Sequence, residues 1–235
     1  MRVINPCVMV PQIDGDQILR NLERYARVCY KSEEKIGEGT AEKLLASTLA
    51  RGHESVIEHE KVTVVFICDR GVSHEIVRHR IASYSQESTR YCNYGQDKFG
   101  EEITVINPFF FNESLGESLL QKAKYAAWKN ACLCSEKEYF TLLKLTNSPQ
   151  EARSVLPNSL KTEIVVTFNM REWRHFFRLR CAVDAHPQMR QLTIPLLNYF
   201  RNNIPVLFDD LDYGDNLDHF SGKHGAENLA EIVIC

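Results

Sequence analysis

Much that would classify a chain quickly is missing from this sequence. No apolar run approaches the roughly 20 residues that a membrane-spanning helix needs, and Met1-Arg2-Val3-Ile4-Asn5-Pro6 lacks the basic-then-apolar layout of a secretory leader. A cytoplasmic protein without a membrane partner is the expectation. There is no glycine-rich dinucleotide fingerprint and no His-Glu-x-x-His arrangement, so neither a Rossmann turn nor a zincin-type site is legible. The spacings of His53 and His59, and of His74 and His79, do not set two imidazoles on one helical face, and Cys132-Leu133-Cys134 has no second pair to complete four ligands. No metal is expected. The eight cysteines are scattered, several within apolar runs such as Val65-Phe66-Ile67-Cys68, and read as buried free thiols rather than a disulfide framework. Net charge is also scarce. A formal value of −3 argues against a protein that coats nucleic acid by counterion release.

What is present is an ordinary globular composition, 44% hydrophobic and 25% charged over 235 residues, enough to bury a sizeable core. Helical spacing of Ile18, Leu22, Tyr25 and Cys29 predicts a helix from Asp14 to Lys31, capped by Asp14 or Asp16. A second is expected with Thr40 as its cap, Leu44, Leu45, Thr48 and Leu49 inward, and Gly52 at its end. Val62 to Cys68 reads as a strand buried on both faces, Thr162 to Phe168 as an alternating strand, and Ile103 to Ile106 as a third, stopped by Asn107-Pro108. Val72, Ile76 and Val77 predict a helix that releases Arg78 and Arg80 near its end. Residues 81–100 read as loop with an extended piece at Ser88–Tyr91. A long helix is expected from about Ser114 to Leu145, with Leu119, Ala123, Ala126, Trp128, Leu133, Tyr139, Leu142 and Leu143 making apolar contacts and a partner subunit on its other side. A short helix spans Pro149 to Leu156, and two more run from Arg171 to Cys181 and from Pro187 to Asn203, with Pro195 a candidate kink. After Phe208, Asp209, Asp210, Asp212, Asp215 and Asp218 with Gly214 suggest a mobile acidic tail. Irregular alternation of helices and strands indicates an α+β class, with one domain over 1–208 and the tail over 209–235.

The arginines are unevenly distributed. Arg78, Arg80 and Arg90 form one group and Arg171, Arg174, Arg178 and Arg180 another. The stretch from Arg78 to Tyr91 carries three arginines, one acid, several hydroxyls and two tyrosines. It reads either as a solvated loop or as an anion cradle, and the pairing of guanidinium forks with serine hydroxyls favours the cradle, because each fork can make two parallel charge-assisted bonds to a phosphate.

Arg78-His79-Arg80, then seven residues, then Ser88 and Arg90, resembles the signature of the flavin-dependent thymidylate synthases. Four further islands match in order: His53-Glu54-Ser55 with Glu58-His59, Ala152 to Pro157, Asn169-Met170-Arg171, and Arg174 to Arg180. The resemblance covers most of the chain. It implies a mixed, mainly antiparallel sheet flanked by helices in the fold particular to that family. It also implies methylation of dUMP to dTMP, with methylenetetrahydrofolate as carbon donor, FAD as hydride carrier and NADPH as reductant. The expected assembly is a homotetramer with shared active sites. By matching position, Ser55, Arg78, His79, Arg80, Gln86, Asn169, Arg171 and His175 would contact FAD, and Glu75, Arg78, Gln86, Glu87, Ser88, Arg90, Arg153 and Arg180 would hold dUMP. His53 would lie toward folate and nicotinamide. Two positions depart from the family: many relatives carry Asn-Glu in place of Ser85-Gln86, and glutamine is common where Glu75 stands.

Within the Arg171–Cys181 helix, Trp173, Phe176, Phe177 and Arg180 follow steps of three and four, so Arg180 is expected on the apolar face and Arg171, Arg174 and Arg178 on another. A buried ion pair or a snorkelling stem would explain such an arginine structurally. The resemblance instead makes Arg180 the candidate catalytic residue, facing uracil N3 and O4. Ser88 has neither a strained glycine elbow nor a base nearby in sequence, so it reads as a phosphate anchor rather than a nucleophile. Cys181 reads as core.

Overall fold

The structure is a computed structural model, describing residues 1–109, 119–211 and 228–235. Its centre is a pair of nine-residue strands, β3 (Lys61–Asp69) and β6 (Lys161–Asn169), antiparallel with Lys61 opposite Asn169 and Asp69 opposite Lys161. Strand β4 (Ala82–Gln86) adds antiparallel to β6, and β2 (Cys7–Val10) antiparallel to β3. The order is β4-β6-β3-β2-β7, in which only the edge strand β7 (Glu231–Ile234) runs parallel to its neighbour. A separate parallel pair joins β1 (Arg2–Ile4) to β5 (Thr104–Ile106). The mixed α+β class is as the sequence indicated.

Alternation explains which face is covered. Val62, Val64, Phe66 and Cys68 on β3 and Ile164, Val166 and Phe168 on β6 are buried under the helices. The expectation that β3 is buried on both faces does not hold: Thr63 is exposed, Val65 and Ile67 are half-buried, and the Thr63 and Thr167 hydroxyls bond across the open face at 2.8 Å. β-branched residues suit a pleated strand whether or not its second face is covered, so composition could not separate the two cases.

Each long strand ends in a residue that caps the next helix. Asp69 accepts from Val72 N at 2.7 Å to start α3 (Arg70–Ile76), and Asn169 accepts from Glu172 N at 2.8 Å to start α6 (Met170–Arg180). Because β3 and β6 are antiparallel, α3 carries the chain back along the sheet, and Arg78 to Arg80 emerge beside the start of α6. Chain then returns as β4, where exposed Ser83 and Ser85 alternate with half-buried Ala82, Tyr84 and Gln86. The extended piece is thus Ala82–Gln86, and the residues expected to be extended, Ser88 to Tyr91, form a turn closed by Tyr91 N and Cys92 N on Ser88 O.

Helices α1 (Gly15–Val28), α2 (Thr40–Ala50), α6, α7 (Pro187–Asn203) and α8 (Pro205–Phe208) cover the sheet. Asp14 caps α1 through Gln17 N. Thr40 is not the cap of α2 but its first residue; left-handed Gly39 precedes it, and the Thr40 hydroxyl donates to Gly37 O instead. Helix α7 runs on through Pro195, buried nearly all round. Trp173, Phe176 and Phe177 of α6 join Phe168, Phe200 and Phe208 in one aromatic cluster.

A smaller core lies under α4 (Leu119–Thr146), where Cys132 and Tyr139 meet Tyr94, Ile103, Val105, Ala152 and Leu160. Trp128, Leu142 and Leu143 turn inward as expected, whereas Leu119, Ala123, Ala126 and Leu133 are exposed, because a stripe that narrow covers one side only. The expected helix start at 114–118 lies outside the described residues. Helix α5 (Pro149–Ala152) continues as a tight turn over Arg153–Val155.

The C-terminal residues are not a free tail. Residues 231–234 close the sheet edge as β7, and Ala230 N donates to Gln191 O. Asp212, Gly214, Asp215 and Asp218 lie outside the described residues. No described helix is long and apolar enough to cross a membrane.

Candidate active site

Where α3 ends against α6, a cleft of about 520 Å³ is lined by Arg78, His79, Arg80, Glu172, His175 and Arg180, among others. His79 is buried and lies along the Glu172–Phe176–Arg180 line of α6. Its Nδ1 is 2.9 Å from Glu172 Oε1, its ring meets Phe176 edge-on at 5.0 Å, and its Nε2 accepts from Arg180 Nε at 3.1 Å. Burial, helped by the Arg180 charge, lowers the pKa of His79 against the opposing pull of Glu172, which favours a neutral ring. Since a carboxylate only accepts, the proton sits on Nδ1 and Nε2 is left to receive Arg180. The backbone of this turn is clipped by Tyr84, whose hydroxyl donates to the carbonyls of Ile76 and His79.

Arg180 has two more partners, both on α3: the Glu75 carboxylate at 2.8 Å and the Glu75 carbonyl at 2.9 Å. The remaining arginines of α6 are also paired. Arg171 bonds to Glu58 at 2.5 Å and Arg178 to Glu54 at 3.2 Å, in a neighbouring cleft of about 480 Å³ that shares Glu172 and His175 with the first. Arg174 does not share the exposed face with Arg171 and Arg178. It is almost fully buried, held by both Asp210 oxygens at 2.7 Å and by Leu207 O. Helical spacing put it outside because the partner that pulls it in lies beyond the next helix.

Arg78, Arg80, Arg90 and Arg153 are different. They are exposed and have no carboxylate partner among the described residues. Arg90 lies over the Tyr91 ring, and Arg153 donates to the Thr89 hydroxyl at 3.4 Å.

The far end of β4 is a separate place. Ser88 Oγ accepts from Arg90 N, while Gln86 donates to the Ser73 and Thr162 hydroxyls. Glu87 is held by Lys161 and Tyr94 beside a third cleft of about 360 Å³. Five extended residues at about 3.3 Å each separate the two ends of β4 by roughly 15 Å. One chain therefore does not bring Ser88, Arg90 and Arg153 into the cleft that holds Arg180.

The family model for thymidylate synthase complementing proteins matches residues 14–206. The chain belongs to this family. It is 38% identical over 200 residues to a flavin-dependent thymidylate synthase of Corynebacterium aurimucosum, covering 80% of this chain and 78% of that one. It is 33% identical over 196 residues to one of Geobacter sulfurreducens, covering 80% of each. The fold is similar to the crystal structure of a UMP/dUMP methylase, PolB, from Streptomyces cacaoi bound with 5-Br dUMP, with TM-score 0.72 at 22% identity, covering 89% of this chain and 96% of that one.

In this member of the thymidylate synthase complementing family, Arg78, His79, Arg80, His175 and Arg180 line one cleft, and Asn169 and Arg171 line its neighbour with His175. Asn169 already spends its side-chain oxygen on the α6 cap. Ser55 lies exposed in the tight turn Glu54–His59, with exposed His53 just before it. Sequence reading missed Glu172. Three residues after the Asn169 cap, it looked like an ordinary first-turn acid, and only its meeting with His79 sets it apart. His79, Glu172 and His175 bring three potential metal donors within 4.8 Å, but Glu172 and His79 are bonded to each other and Arg180 adjoins them, an environment that disfavours a cation. Burial pushes the Cys181 thiol up to about 12, which leaves no thiolate for nucleophilic attack.

Proposed function

We propose that this protein is a flavin-dependent thymidylate synthase that methylates dUMP to dTMP. Methylenetetrahydrofolate donates the carbon, FAD carries hydride and NADPH is the reductant, in a cytoplasmic homotetramer with shared active sites. Membership of the family supports the reaction class. The observation that carries the reading is Arg180: a guanidinium has five N–H donors, three of Arg180's are held by His79 and Glu75, and two are left beside Arg78 and Arg80, which have no carboxylate partner among the described residues.

The donors left over are held in the guanidinium plane, where they would serve the polar edge of uracil at N3 and O4. A cation there favours the N3-deprotonated ring and raises electron density at C5, which must attack the incoming carbon. Ser88, Arg90 and Arg153 would hold the phosphate through charge-assisted bonds. Arg78 and Arg80, exposed and without acidic partners among the described residues, fit the diphosphate of FAD, with His175 and Arg171 beside them. When bound, the flavin supplies the hydride that completes the methyl group.

The separation of Arg180 from Ser88 along β4 supports shared sites, because the base and phosphate of one nucleotide need both ends. Two subunits would meet that need.

A visible spectrum of the purified chain tests the reading, before and after NADPH and then dUMP with methylenetetrahydrofolate. A bound flavin bleached by NADPH and a dTMP product are expected. A colourless chain that takes up no added FAD would overturn it.

A further inference from the structure

The planar group at the centre of the cleft is not placed by its own helix alone. Glu172 and His79 are both nearly buried, and each spends a polar atom on the other. The His79 ring is confined between Phe176 and Phe168, with centroids 5.0 and 5.9 Å away, so it has little room to rotate. We infer that Glu172 is a positioning residue for the reaction: by holding the Nδ1 proton of His79 it leaves Nε2 bare, and that lone pair, together with Glu75, holds Arg180 in place. The inference rests on the reading of Arg180 as the group that faces the pyrimidine.

The alternative tautomer shows why the carboxylate matters. With its proton on Nε2, His79 would direct an N–H at the Arg180 Nε–H, two donors meeting at about the observed 3.1 Å. Arg180 would have to swing away, and its two remaining N–H groups would leave the pyrimidine with it. A carboxylate at one end of a neutral ring and a guanidinium at the other also polarise the imidazole in the same sense, so each bond strengthens the other. Glu75 holds the two terminal nitrogens of the guanidinium, and His79 holds Nε, the end nearest the side-chain stem.

Glu172→Gln keeps the size of the side chain and a hydrogen-bonding group, but its amide can donate or accept, so the tautomer is no longer specified. Turnover of dUMP is expected to fall about 10- to 100-fold, as for misplacement of a reacting group by a fraction of an ångström. The KM for dUMP and the flavin spectrum should stay close to those of the parent. In an Arg180→Lys background the same change should add almost nothing, since Glu172 acts through Arg180. An equal fold-loss in both backgrounds, a turnover within twofold of the parent, or a loss confined to flavin retention would overturn the inference. Nitrogen NMR of the histidine rings reports on it without turnover. Nδ1 protonated and Nε2 bare in the parent, with a mixture in Glu172→Gln, is expected; a parent ring protonated on Nε2 would overturn it. The expected ring in a chain that makes no dTMP would overturn only the reading of function.

Discussion

The Glu75 carboxylate accepts from Arg180 Nη1 at 2.8 Å, and the Glu75 carbonyl accepts from Nη2 at 2.9 Å. This chain thus sets a negative charge against the cation it would use on the pyrimidine. Glu75→Gln keeps an acceptor and removes that charge. Binding of dUMP should tighten by roughly three- to tenfold, about 1 kcal/mol, measured by calorimetry. Weaker binding would mean that Glu75 itself contacts the nucleotide.

Arg180→Lys preserves the charge and loses the planar fork. Turnover should drop by roughly a hundred- to a thousandfold, the cost of removing one preorganised donor at a developing charge, in a dTMP-formation assay. Near-normal turnover would contradict a fork directed at uracil.

Arg180→Ala and Arg90→Ala chains should each be inactive alone. Mixed and reassembled, they should recover measurable activity, because some sites then draw Arg180 from one subunit and Arg90 from another. No recovery in assemblies verified as mixed would mean that each site is built within one chain.

Arg174 anchors the chain beyond α8 through both Asp210 oxygens and Leu207 O. Hydrogen bonding to Arg174 holds the Asp210 carboxyl below its usual range. A depressed folded pKa means that the stabilisation is present above the unfolded value near 3.9 and is lost as pH falls through the folded value. The Asp210 side chain is more than half exposed, so solvent screens the pair, and Asp210→Asn should cost about 1 kcal/mol at pH 7, lowering Tm by about 2–4 °C. In calorimetric melts the gap between variant and parent should narrow in strong acid.

The elements legible in sequence are those written in local pattern. Ile18, Leu22 and Tyr25 at helical spacing, the cap at Asp14, and the β-branched runs at 62–68 and 162–168 each sit within one element. The clustering of arginines and hydroxyls over Arg78–Arg90 was legible for the same reason. Strand β4 was missed because Ala82 to Gln86 is hydroxyl-rich and becomes a strand only by pairing with β6. Strand β7 follows an acidic run, and its place depends on β2, more than two hundred residues earlier.

The sequence by itself determined the family and the charge clusters, since these depend on side-chain identity and short-range spacing. Tertiary structure alone decided which arginines of α6 are occupied by acids, that Glu172 stands behind His79 and Arg180, and that Ser88 lies at the end of β4 away from the cleft that holds Arg180. Those relations follow from strand register and helix packing, which join residues about a hundred positions apart that no local period connects.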